Sequence, residues 1–263
     1  MELLLNRVAF TIAGFDVYWY GIIIAFAVAL AFGLTFALLK VKELPKDTPI
    51  DVFLAIVPLG IIFGRLFSVL FEDNTTILDF FEFRQGGMSI IGAVIGGAIG
   101  LVILCAIKKY NFLKLADMIV PVLILAQAIG RWGNYANQEV YGWVVTNPSW
   151  QFFPFAVNID GTWHLALFFY EFVLNLIGFV ILMVLYFKTK KVGICTGTYF
   201  IYYGTVRVVL ESLRDNEYVL RLAGLPISQI LSAVFIVAGI AILVYINVKD
   251  RQKNKKIEVT NEK

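Results

Sequence analysis

"VYWYGIIIAFAVALAFGLTFALL", residues 17–39, contains no charged side chain over 23 positions. A helix crossing about 30 Å of hydrocarbon needs roughly 20 such residues. The pattern repeats along the chain, at about 17–39, 50–71, 87–107, 115–131, 164–187, 194–211 and 226–247. The fourth run is short and interrupted by Pro121, which leaves its limits soft. Across the 263 residues, 60% are hydrophobic and 16% charged, far from the balance of a water-soluble domain. These runs predict an all-α membrane protein, a polytopic bundle of about seven transmembrane helices. A cleaved signal peptide is not expected, because the first apolar run is too long and lacks a basic start.

Basic residues give the expected orientation. The fourteen Lys and Arg251 fall after the first, third and fifth runs or in the tail from Lys249, against seven Arg on the other side, including Arg7, Arg84 and Arg221. The lysine-rich side is therefore expected to be cytoplasmic, with the amino terminus outside and the carboxyl terminus inside. Residues 1–248 are expected to form one transmembrane domain with an outer loop region at 132–163. The segment 249–263 is expected to be a flexible basic cytoplasmic tail near anionic lipid. With one His and two separated Cys (Cys105 and Cys195), no zinc constellation can be assembled; neither metal nor cofactor is expected, nor nucleic acid as a partner. Gly60/Gly64 and Gly92/Gly96/Gly100 have the spacing of close helix contacts in a bilayer.

The remaining polar groups gather at one predicted depth, the outer leaflet. Gln127, Arg131 and Asn134 share one face of the fourth helix, and Arg207, Glu211 and Arg214 one face of the sixth. Arg65, Tyr20, Glu171 and Asn175 lie in the same layer. A charge inside a bilayer costs about 2.5–3.5 kcal/mol even on the lenient scale, so these groups require partners or a function. One reading pairs Arg207 with Glu211 and Arg131 with Glu139 as helix welds. The other notes that Arg65, Arg131, Arg207 and Arg214 outnumber Glu139, Glu171 and Glu211. Surplus guanidinium forks match phosphate oxygens two at a time, and a lipid headgroup supplies them.

"AQAIGRWGNYANQEVYG" at 126–142 resembles the signature of the bacterial prolipoprotein diacylglyceryl transferases. So do "YWYG" at 18–21, "GRLFSVLF" at 64–71, "GGMSIIGAVIGG" at 86–97, "FFPFAV" at 152–157, "FFYE" at 168–171, "YGTVRVVLESLR" at 203–214 and "ISQ" at 227–229. The resemblance implies transfer of diacylglyceryl from phosphatidylglycerol to the lipobox cysteine of prolipoproteins at the outer face of the bacterial cytoplasmic membrane. It implies catalytic roles for Tyr20, Arg131, Glu139, Arg207 and Glu211. Phosphatidylglycerol would contact Arg65, Arg131, Asn134, Asn137, Gly142 and Arg207, with Arg214 a further candidate and Glu139 and Glu211 fixing the arginines. Where the family usually carries a catalytic His, this chain has Ile91, which accepts no proton. An alternative is therefore a paralogue that binds phospholipid or uses another acceptor. The lone histidine, His164, is read as an interfacial residue orienting a loop rather than as the base.

Overall fold

The computed structural model describes residues 7–12, 14–71, 77–81, 87–215, 221–222 and 225–261; Arg84 and Gly86 lie outside them. Seven α-helices dominate the described residues: α1 (Trp19–Leu38), α2 (Thr48–Phe71), α3 (Ile90–Lys108), α4 (Phe112–Asn137), α5 (Leu167–Lys188), α6 (Ile194–Glu211) and α7 (Ile227–Asn261). All except α6 are long and apolar enough to cross a membrane. In α6, Arg207, Glu211 and several Thr and Tyr side chains dilute the apolar content. Short antiparallel pairs decorate the helices: β1 (Val8–Ile12) with β2 (Phe15–Tyr18), β3 (Ala156–Ile159) with β4 (Thr162–Leu165), and β5 (Arg221–Leu222) with β6 (Leu225–Pro226). Large apolar side chains such as Phe26, Leu54, Val102, Val180 and Val237 are exposed. Such surfaces call for lipid rather than water. This is a multi-pass membrane protein.

Helix limits follow the predicted runs with two differences. α4 passes through Pro121 and continues to Asn137, taking in residues expected to begin the outer loop. Transmembrane helices tolerate proline because neighbouring groups satisfy the freed backbone. α7 continues to Asn261 where a flexible arm was expected. Its Lys, Arg, Gln and Glu residues are good helix formers, and neither Gly nor Pro interrupts them.

The chain divides into two compact units, residues 35–115 and residues 1–34 with 116–263. In the first, α2 and α3 pack through glycine. A methyl group at Gly92, Gly96 or Gly100 would sit 2.2–2.3 Å from the carbonyl oxygens of Phe63, Leu59 and Ala55, so only hydrogen fits. In the second, Gly197, Gly204 and Gly239 make the same close approach between α6 and α7. Asp117 of α4 is fully buried and caps the start of α6. It accepts from the Gly193 amide at 2.7 Å, the Thr196 amide at 2.9 Å and the Thr196 hydroxyl at 2.8 Å. A carboxylate there satisfies orphan amides and meets the positive end of the helix dipole.

Candidate active site

In the second unit, the end of α4, the start of α5 and the end of α6 bring five charged side chains into one chain of contacts. Arg131 meets Glu171 at 3.0 Å, and Glu171 meets Arg207 at 3.2 Å. Arg207 meets Glu211, and Glu211 meets Arg214, both at 3.3 Å. Glu171 and Glu211 are only 3% and 5% exposed, and each lies between two guanidinium groups. Three cations thus share two anions, leaving one positive charge without a counterpart inside the chain of pairs. Burial, and then repulsion from Arg207, push the Arg214 pKa below that of a free guanidinium.

A narrow crevice opens on this cluster, lined by Arg131, Asn134, Val140, Leu167, Phe168, Glu171, Leu210 and Arg214. The Nε atoms of Arg131 and Arg214 are buried with no hydrogen-bond partner. Buried donors left unpaired are uncommon and call for an explanation. Two guanidinium edges with spare donors beside a crevice can receive an oxyanion. Phe168, which lines the crevice, is backed by other rings: Tyr135 stacks on it with ring centres 4.6 Å apart, and Trp132 packs edge-on against Phe168 and Phe172.

The polar relay at the end of α4 differs from expectation. Arg131 donates to Asn134 Oδ1 at 3.1 Å, and Asn134 Nδ2 donates to Glu139 Oε1 at 2.9 Å. Asn137 Nδ2 also donates to Glu139 Oε1, at 3.4 Å. Glu139 therefore does not pair directly with Arg131; Glu171, on another helix, takes that place. The backbone on both sides of Glu139 is left-handed, with φ of 53° at Gln138 and 61° at Val140. For a β-branched residue such as valine this is a true outlier, costing on the order of 1–3 kcal/mol. The strain turns the chain sharply after Asn137, so that the Glu139 amide bonds the Asn134 carbonyl at 3.1 Å.

Of the other sequence candidates, Tyr20 joins this end of the unit. Its ring lies against Gly133, where a methyl group would come within 2.8 Å of the ring. Gly142 sits where backbones cross: its amide bonds Leu165 O at 3.1 Å, it bridges Arg214, and a side chain there would strike Leu165 and Leu213. His164 Nδ1 lies 3.1 Å from Gly142 O, and the residue bridges Val144, the geometry of a loop-orienting histidine. Arg65 and Ile91 belong to the 35–115 unit. There Arg65 Nη1 donates to Gly87 O at 2.8 Å, and Ile91 lies half-exposed in the first turn of α3. Glu171 is the residue that the sequence-based site omitted. It is the sole acidic residue in the α5 run, a signal that marked its depth without naming its partners. Tyr203, stacked on Tyr199 at 5.5 Å, lies beside Arg131 and Glu171 and was likewise omitted.

Fold and site together define a multi-pass helical membrane protein with interlocked arginines and glutamates at one end of its helices. Residues 7–245 match the family described as Prolipoprotein diacylglyceryl transferase. The phosphatidylglycerol–prolipoprotein diacylglyceryl transferase of Clostridium novyi is 36% identical over 261 residues, covering 95% of this chain and all of that protein. The enzyme of the same description from Finegoldia magna is 35% identical, covering 90% of this chain and 94% of its own. That of Listeria innocua is 35% identical over 93% of this chain and 91% of its own. The chain belongs to the prolipoprotein diacylglyceryl transferase family, and it is a transferase.

Proposed function

We propose that the protein moves the diacylglyceryl group of phosphatidylglycerol onto the lipobox cysteine thiol of a prolipoprotein, the first step of lipoprotein maturation. The cysteine sulfur attacks the glyceryl carbon that carries the phosphate ester. A sulfur–carbon bond forms, the carbon–oxygen bond breaks, and glycerol phosphate departs with the electron pair. Residues 1–248 are the catalytic membrane domain, with the 249–263 segment basic and cytoplasmic. The reaction takes place at the outer leaflet of the bacterial cytoplasmic membrane.

The observation that carries this reading is the pair of unpartnered buried Nε donors, on Arg131 and Arg214, beside a crevice with surplus positive charge. Arg131 and Arg207 neutralise the charge that builds on the leaving phosphate, an effect strongest where water is excluded. Asn134 orients an oxygen of the headgroup. Glu171 and Glu211 hold the guanidinium groups apart and in plane, and Tyr20 closes the side near Gly133.

Ile91 favours a second reading, a paralogue that binds phospholipid without transfer. Purified protein incubated with phosphatidylglycerol vesicles and a lipobox peptide separates the two. The expected products are a thioether-linked diacylglyceryl peptide, seen by mass spectrometry, and an equal amount of glycerol phosphate. Lipid binding with neither product would establish the paralogue instead.

A further inference from the structure

Resting on that transfer reaction, we propose that Glu139 is the base that takes the proton of the acceptor thiol, the task that Ile91 cannot perform. A cysteine thiol with a pKa of about 8.5 is mostly protonated at neutral pH, so attack needs a proton acceptor at hand. Three carboxylates lie at this end of the unit, two inside the chain of ion pairs and Glu139 outside it. Glu171 and Glu211 are buried and each is clamped by two guanidinium groups. Both are thus already engaged on two sides and shut away from an incoming thiol.

Glu139 is different. It makes no ion pair among the described residues, and its hydrogen bonds come from two neutral amides, Asn134 and Asn137, both to Oε1. Oε2 is left for a substrate proton, and the residue is partly exposed, where a peptide can reach it. Asn134 links Glu139 to Arg131, while the adjacent Val140 lines the crevice. The left-handed Gln138 and Val140 on either side hold the carboxylate at that place, as strained backbone at a working site does.

The charges balance in a useful direction. The thiol proton passes to Glu139, sulfur bonds to carbon, and the electron pair of the broken carbon–oxygen bond leaves on the phosphate. One negative charge thus moves from Glu139 to the phosphate, toward Arg131. The protonated Glu139 then returns its proton to water.

The test compares acceptor peptides carrying cysteine or selenocysteine, since a selenol is already ionised at neutral pH and needs no base. Glu139→Gln keeps an oxygen for Asn134 while removing the base. It should lose about 100-fold or more with cysteine but less than about tenfold with selenocysteine, the size of a general-base contribution. Its affinity for phosphatidylglycerol vesicles should match that of the native protein. Equal losses with both peptides would make Glu139 a positioning residue and overturn the proposal, as would full activity with cysteine. The same selectivity in His164→Gln, with Glu139→Gln unaffected, would move the role to His164. A native protein inactive with both peptides would instead refute the transfer reaction itself, and this role with it.

Discussion

Gly133 lies under the ring of Tyr20 so closely that no side chain fits between them. Gly133→Ala should displace Tyr20 and lower kcat/KM by about 10–100-fold, the effect of misplacing a group by about an ångström. Thermal stability in detergent should change far less, and a drop in both together would assign Gly133 to packing alone. If Glu139 serves as base, the family's usual histidine is dispensable here. Ile91→His should leave turnover within about threefold of native, small beside a general base's contribution of about 10²–10⁴. Revival of a dead native protein by this substitution would reverse that conclusion. The arginine-rich faces were legible because Arg131 with Asn134, and Arg207 with Glu211, are helix neighbours whose spacing shows in the sequence. Glu171 was not: it meets Arg131 across two helices at a separation of 40 positions, and no local spacing reports such a contact.

Asp117 fixes the start of α6 to α4, and α6 carries Arg207 and Glu211 at its other end. Asp117→Ala would orphan two buried amides and a hydroxyl, costing on the order of 3 kcal/mol. A lower Tm and reduced turnover are expected, with activity recovering partly when stabilising lipid is added. Unchanged Tm would show that the cap is unimportant. In the 35–115 unit, Gly96→Val should disrupt the α2–α3 contact, since even a methyl group would press on Leu59 O. Lower yield of folded protein measured by size-exclusion chromatography would show it. The small-residue spacing of α3 was readable because a bilayer gives helices little hydrophobic reason to associate. The Asp117 cap was not, because a buried aspartate in an apolar run looks the same whether it serves catalysis or holds a helix.

For the chain as a whole, lysine placement predicts a cytoplasmic Lys-rich side. Lys46, Lys109 and Lys190 are exposed, whereas Lys42 is buried. The exposed three should resist a membrane-impermeant amine reagent in intact cells and react after lysis; labelling from outside would invert the topology. Helix number and order were legible because hydrocarbon length imposes its own period on the sequence. The continuation of α4 to Asn137 was hidden because its last turns are polar, held by contacts that only the folded chain makes. In the proposed reaction the interlocked arginines receive the departing phosphate of phosphatidylglycerol. The most direct measurement is kcat/KM for Arg131→Lys and Arg207→Lys with phosphatidylglycerol and a cysteine lipobox peptide. Charge is kept, but an ammonium cannot make the two-pronged contact, so each should fall by about 100-fold or more. Normal turnover by both variants with native lipid affinity would contradict the account.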